Sequence, residues 1–461
     1  MARTDTLGHF LTDVADSIRA KTGGSSSITA SSFDTEIASI PSGGGGAVES
    51  KDVNFYDYDG TILYSYTKSE LNNLTALPEN PTHEGLTSLG WNWTLQEIKD
   101  FLVDKSFADI GQLYEPTDGK TKIYVTIDKY TLNPTLTIGL NGTATIDWGD
   151  NSTDTITSDN VSTAVNTTHT YSTAGDYIIS ISSNTDIRVM AGNYTYGSHF
   201  FWSGIVNSYE NVRYISCVKK VIFGNNIVLY GEYALGFCYN LESVSLPNNT
   251  ATLGINTCYK CISLKHITIP KQTNYVIAER MFCDCYSLQS VSLSSTTYKF
   301  NTNCFNGDSN LSRLCLPNSL TIINSYLVSN CKLELLEMPN NLTSYSMNAF
   351  MSLYKLKKIV INNNSSVNFL SGSMYNNYNL KEVIVKGNIG NIYSSAFSSN
   401  YNCFKYDFTG CTAVPTLKNV NAFGNINANC KIIVPDDLYN DWISANNWSS
   451  ISSYIVKESL A

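Results

Sequence analysis

One phrase returns through the second half of this chain: a leucine, two residues, an aliphatic residue, one residue, a second aliphatic residue and often a proline. It reads Leu241-Glu242-Ser243-Val244-Ser245-Leu246-Pro247 and again Leu264-Lys265-His266-Ile267-Thr268-Ile269-Pro270. First positions recur at Leu288, Leu311, Leu333, Leu356 and Leu380, with weaker versions beginning at Val218 and Phe404. The spacing of about 23 residues lies in the range of repeats that stack into solenoids. A unit this short cannot bury its own apolar side, so each must stack on its neighbours. The pattern therefore predicts a solenoid with one short strand per turn. Aliphatic residues point inward, and the residues between them point outward onto a shared sheet face.

Just before each leucine sits a bulky or sulfur-bearing group, as in Phe237-Cys238, Cys258-Tyr259-Lys260-Cys261, Phe282-Cys283-Asp284-Cys285 and Cys304-Phe305. All 12 cysteines lie at or after Cys217. Cys258/Cys261 and Cys283/Cys285 have the spacing of zinc half-sites. Their fixed place before the repeat leucine reads instead as small buried filler. The phrase, its length, its Leu-Pro strand end, and the Ala-Phe of Asn348-Ala349-Phe350 and Ser395-Ala396-Phe397 resemble the BspA-like leucine-rich repeat of bacterial surface proteins. That resemblance implies about nine repeats over 217–430. Residues 431–461, with Trp442 and Trp448, then read as the cap that covers the last open core edge.

The first half is built differently. Leu7, Phe10, Leu11, Val14 and Ile18 fall on one face of a short helix. Residues 1–42 are too few to bury a core alone, so this face predicts oligomerisation through Leu7, Leu11, Val14 and Ile18, as a trimer. A Gly-rich linker spans 43–50. Residues 51–120 read as a small α+β spacer, with a hairpin turning at Asp59-Gly60 and a helix after the capping box Thr94/Glu97. Residues 121–190 alternate as an all-β unit, and 191–216 connect to the repeats. Ile146-Asp147-Trp148-Gly149-Asp150, His169-Thr170-Tyr171 and Gly175-Asp176-Tyr177 resemble the PKD-like immunoglobulin-type sandwich, which implies Trp148 as a core plug and a chain reversal at Gly149-Asp150. The fold class is multidomain and mainly β.

Composition narrows the function. Net charge is −9 and only 15% of residues are charged, which argues against a nucleic-acid interface and against attraction to anionic membrane. No apolar run is long enough to span a bilayer, and the N-terminus has no signal-peptide pattern. The expectation is a protein that is not exported by the usual route. Asp57-Tyr58-Asp59 resembles the first motif of haloacid-dehalogenase-type phosphatases, but the stretch before the all-β unit is too short for the α/β sheet such an enzyme needs and shows no parallel-sheet pattern, and the acidic pair Asp436-Asp437 lies across the whole solenoid. The five histidines are scattered over different modules. No catalytic residue, metal site or cofactor is expected, and the chain is read as a non-enzyme.

Leu7 to Gly23, Ser32 to Ile37 and the segment Lys51 to Trp93 resemble tail and baseplate-associated proteins of phages that infect Gram-positive bacteria. The resemblance implies a virion tail-fibre or receptor-binding component, assembled in the host cytoplasm alongside other tail proteins. The alternatives are a bacterial surface adhesin and a structural virion decoration protein. Its partner is expected to be a host-surface glycan or protein, met on the outward strand positions Ser243, Ser245, His266, Thr268, Ser290, Arg313, Glu337, Lys358 and Glu382. Tyr239, Tyr286, Tyr354 and Tyr378, which precede the repeat leucines, are expected to stack on sugars or pack against a partner protein.

Overall fold

The structure, a computed structural model, describes residues 49–189, 201–202, 216–224, 227–229, 232–248, 254–272 and 275–461. The N-terminal segment with Leu7, Leu11, Val14 and Ile18 lies outside the described residues. Residues 51–461 form one compact unit. It is mainly β, with few helices and a solenoid of about 10 turns.

The repeat leucines and the aliphatic residues after them line the solenoid core. Leu241, Leu264, Leu288, Leu311, Leu333, Leu356 and Leu380 are all completely buried. Each phrase forms a short strand whose neighbours are parallel and in register, as in His266↔Ser290 or Lys358↔Glu382. A second parallel ladder, from Tyr275–Ile277 to Thr416–Leu417, forms another wall. Sharp corners join the walls, and they need left-handed backbone. Phe237, Lys260, Asp284, Ser352 and Asn376 have φ between 57° and 64°, and Gly307 occupies the equivalent place. A side chain there is strained. The corner holds because its backbone is still stacked: the amides of Phe237, Lys260 and Asp284 donate to carbonyls of the following turn at 2.7–2.9 Å.

The register corrects one phrase. Glu382 pairs with Lys405, so Cys403 and not Phe404 stands where Leu380 stands one turn earlier. Cys403 is buried, whereas Phe404 is half exposed. All 12 cysteines are free and buried. Several thiols contact the backbone of the preceding turn: Cys261 Sγ donates to the Leu235 carbonyl and Cys285 Sγ to that of Cys258, both at 3.1 Å. Asn377 Nδ2 does the same to Phe350 at 3.0 Å. Where the slot before the leucine holds one of these side chains, it donates to a buried carbonyl whose lack of a partner would otherwise cost free energy.

Ahead of the solenoid, β1 (Val53–Tyr56), β2 (Ile62–Tyr66), β3 (Leu86–Trp91) and β4 (Ala108–Pro116) form a sheet ordered β2-β1-β4-β3. Gly60, with φ +92°, makes the β1–β2 turn. Helices α1 (Lys68–Asn72) and α2 (Leu95–Leu102) both begin with a complete capping box, Thr67/Glu70 and Thr94/Glu97. Ile98, Phe101 and Leu102 of α2 pack with Val53, Phe55, Ala108 and Ile110 of the sheet. Next come β5 (Thr121–Ile127), β6 (Thr135–Asp147), β7 (Thr153–Thr168), β8 (Gly175–Ser183) and β9 (Ile187–Val189). Trp148 is fully buried, stacks on His169 at 4.9 Å and donates to Asp154, and Gly149 turns the chain at φ +81°. These strands share one sheet with the solenoid, because β5 pairs antiparallel with Val218–Ile222, the first repeat strand. The solenoid therefore begins already paired.

Its far end is closed by α3 (Tyr439–Ser444) and the strand Ile455–Lys457, which pairs with Lys431–Val434. Trp442 and Trp448 are completely buried, 5.4 Å apart, against Phe408 and Phe423. Trp448 Nε1 donates to the Pro415 carbonyl at 2.7 Å. Truncating a buried tryptophan costs about 3–5 kcal/mol. Trp442→Ala is expected to raise hydrogen exchange first in the turns after Tyr406. Uniform loss of protection along the solenoid would contradict a local capping role.

Candidate functional site

The outward strand residues of the first turns do not face solvent. The β1–β4 sheet lies on them, so this domain is a docked layer instead of a spacer. Its helices cover one side of the sheet and the solenoid strands cover the other, which leaves eight of the nine residues of β4 buried. Close approach requires a glycine: a Cβ on Gly111 would overlap the Thr268 side chain and stand 2.8 Å from Ser292 Cβ. Asn92 bridges the layers, accepting from the Gly111 amide at 2.9 Å and donating to the Ile269 and Ser292 carbonyls at 3.2 and 3.0 Å. Trp93 Nε1 donates to the Leu293 carbonyl at 2.7 Å. Ser245 Oγ donates to the Tyr114 carbonyl at 2.6 Å.

These contacts correct the expected binding face. Ser243, Ser245, His266, Thr268 and Ser290 are buried beneath the domain and are not open to a ligand. His266 is completely buried, stacked on Tyr56 at 4.7 Å, with its ring nitrogens 2.7 Å from Ser290 Oγ and 3.2 Å from Thr268 Oγ1. Arg313 is engaged by Asp109, with Nη2 at 3.0 Å, by the Asp52 carbonyl at 3.2 Å and by the Phe107 ring. Sequence could not supply this, because a serine or histidine facing out of a strand reads the same whether water or another layer covers it.

Further along, Glu337 accepts from the Ser106 amide and hydroxyl, both at 2.8 Å, at the limit of the docked layer. Beyond it the strand face is uncovered and its charges pair with each other: Lys358 with Glu382 at 2.7 Å and Lys405 with Asp407 at 3.1 Å. Where the layer ends, a cleft of about 460 Å³ is lined by Phe107, Ser312, Arg313, Lys332, Glu334, Leu335 and Lys355. Lys332 and Lys355 were not among the residues expected from sequence. They belong to the turns before the strands, and no strand-column argument selects them. Among the tyrosines, Tyr286 and Tyr354 are exposed and Tyr239 and Tyr378 half-buried. The rings of Tyr354 and Tyr378 stack on each other, 5.0 Å apart and 18° from parallel. Their facing sides are therefore taken by each other instead of being offered to a sugar.

The phosphatase-like aspartates are turn residues. Asp57 contacts His83 Nε2 at 2.8 Å, and Asp59 accepts from the Thr61 amide at 2.9 Å. Among the described residues, no group of three or more His, Cys, Asp or Glu side chains is placed to hold a metal ion, and no helix is long and apolar enough to cross a membrane. Burial pushes the thiols of Cys238, Cys261, Cys285, Cys304 and Cys331 well above their ordinary range, which leaves them poor nucleophiles.

Two predictions follow from the docking geometry. Burial pushes the His266 imidazole from 6.5 down to about 3, against the pull of Asp59. Below pH 6.5 the unfolded chain takes up a proton here that the folded chain refuses. The site therefore removes stability as pH falls through 6.5 towards 3, by up to ~1.4 kcal/mol per pH unit. In denaturant unfolding across that range, His266→Gln is expected to lose less stability than the unaltered chain; parallel curves would refute this. Overpacking a close contact costs about 1–3 kcal/mol. Gly111→Ala is accordingly expected to loosen the seating of the domain on the strands, seen as faster proteolytic cleavage within residues 51–116, and unchanged resistance would count against the geometry.

The chain contains BspA-type leucine-rich repeats: the family model for that repeat region matches in 6 copies, over residues 201–288 and 275–404. No curated protein matches the chain. Similar solved structures include a leucine-rich repeat protein of T. pallidum, 21% identical over 38% of this chain and 80% of that one, with TM-score 0.28. Another is the pneumococcal vaccine antigen PcpA, 19% identical over 50% and 67%, TM-score 0.32. A third is a leucine-rich cell surface protein of Faecalibacterium prausnitzii, 18% identical over 51% and 73%, TM-score 0.25. At these scores none of the three bears on what this chain does.

Proposed function

We propose that this chain is a non-enzymatic adhesin that binds a polymer on a cell surface through the solenoid turns beyond its docked domain. The observation that carries the reading is the cleft at the edge of that domain, where Arg313, Lys332 and Lys355 gather beside Phe107 and Leu335 with Glu334 as the only acidic lining residue. Arg313 is held by the Asp109 carboxylate, whereas Lys332, bonded to the neutral Asn310 Oδ1 at 2.6 Å, and Lys355 keep their charge for an anionic group. Phe107 and Leu335 supply apolar area beside them. A host glycan or glycopolymer bearing carboxylate or phosphate fits this mixture. Concave sites with a few convergent polar groups on an apolar floor are the ordinary form of ligand sites.

The resemblance of Leu7 to Gly23 and Lys51 to Trp93 to phage tail proteins supports a virion tail as the platform, with the N-terminus as the attachment and trimerisation end. The BspA-type repeats support the second reading, a bacterial surface adhesin, equally well. Labelled full-length chain is expected to stain host cells, with staining falling as salt rises. Lys332→Ala/Lys355→Ala is expected to reduce it at least tenfold, about 1.4 kcal/mol, with unchanged thermal unfolding. Staining that is indifferent to both substitutions would sink the assignment of this cleft. Particles that carry the chain on their tails, against cells that carry it on their envelope, distinguish the two platforms by immunogold labelling.

A further inference from the structure

One polar contact between the docked domain and the solenoid brings together an amine, a carboxamide and a carboxylate. Lys105 follows α2 and is 2% exposed. Its Nζ lies 2.7 Å from Oδ1 of Asn340 and 2.6 Å from the Met338 carbonyl. Nδ2 of Asn340 donates to Asp104 Oδ2 at 2.8 Å. Both sides of this contact are held in place. The Lys105 carbonyl accepts from Lys68 Nζ at 2.8 Å, and the Asn340 amide donates to Asn318 Oδ1 at 3.1 Å. A buried amine hydrogen-bonded to a carboxamide oxygen, with a carboxylate accepting from the nitrogen that would depart, brings together the three components of an amide exchange.

We propose that Lys105 and Asn340 condense into an intramolecular isopeptide bond, with Asp104 as the proton carrier, covalently fastening the domain to the solenoid. The Nζ lone pair forms the new bond to Asn340 Cγ. The Cγ–Nδ2 bond breaks, the proton shed by Nζ passes by way of the Asp104 carboxylate to Nδ2, and ammonia leaves. Nothing is oxidised or reduced, and no co-reactant is consumed. Three features favour the step. Burial pushes the Lys105 amine down to about 8, although Glu337 and Asp104 pull it upward, so at neutral pH about a tenth of molecules hold the free base. The amine is already held by a hydrogen bond to the oxygen of the carboxamide it would attack, which lowers the entropic barrier to joining them. The product also replaces a buried ammonium, which is costly to desolvate, with a neutral amide.

The bond would close a loop across 235 residues of sequence. Most of its effect would fall on the unfolded state, whose freedom it restricts. The domain could then no longer separate from the strand face even when its other contacts break.

The test is the mass of the full-length chain under denaturing conditions, followed by peptide mapping. The expected result is a chain lighter than its sequence by one ammonia, and one branched peptide containing both Lys105 and Asn340. Lys105→Arg is expected to restore the full mass. Asp104 is exposed and carries no core contact, so Asp104→Asn is expected to fold and to yield linear peptides. Separate, unmodified Lys105 and Asn340 peptides from the unaltered chain would overturn the bond. A branched peptide persisting in Asp104→Asn would overturn the role given to Asp104.

Discussion

A stack of short parallel strands leaves more unsatisfied than it satisfies: two open ends, where core and backbone would meet water, and a sheet face along its length. Among the described residues, three elements outside the repeats answer those exposures. β5 pairs with the first repeat strand, so the sheet of β5 to β9 continues into the solenoid. Trp442 and Trp448 close the other end over Phe408 and Phe423. The β1–β4 sheet takes the third exposure, the strand face of the early turns, and holds it with backbone-directed bonds from Asn92 and Trp93. The repeats set where these pieces must go.

The parts of the fold that repeat were legible in sequence, because a period makes each position informative about every other. The leucine column, the inward aliphatic residues, the buried thiols and the tryptophan cap all lie where their phasing puts them. The slip at Phe404 has the same origin in reverse. With Cys403 in the leucine slot, the pattern offered the adjacent phenylalanine as a better match, and only the pairing of Glu382 with Lys405 fixes the register. The β1–β2 hairpin and the α2 capping box were legible for another reason: each is local, and its residues satisfy one another within a few positions.

The docking was not legible, and the binding face was misjudged with it. Its contacts join residues as far apart as Asn92 and Ser292, or Lys105 and Asn340. Neither partner carries a local signal. Serine, threonine and histidine on the outward column looked like a hydrated display surface, yet Ser245 is matched to the domain and His266 to Ser290 and Thr268. One feature did carry information: Gly111, inside an otherwise continuous β-like run, is the kind of interruption that marks a close backbone approach. Asn92 beside Trp93 was a second, since a buried amide next to an indole has to find carbonyls somewhere.

Docking also decides which part of the solenoid can meet another molecule. A recognition surface spread along the whole strand face would give many weak contacts. Covering the early turns confines the accessible part to the stretch from the cleft at Lys332 and Lys355 onward, and the edge of the domain, through Phe107, becomes one wall of that cleft. The domain therefore does more than shield serines. It turns a flat sheet into a concavity, and that concavity keeps its shape only while the domain stays seated. Lys105 and His266, both away from the cleft, and Arg313, which lines it but is held by Asp109, fix that wall in place.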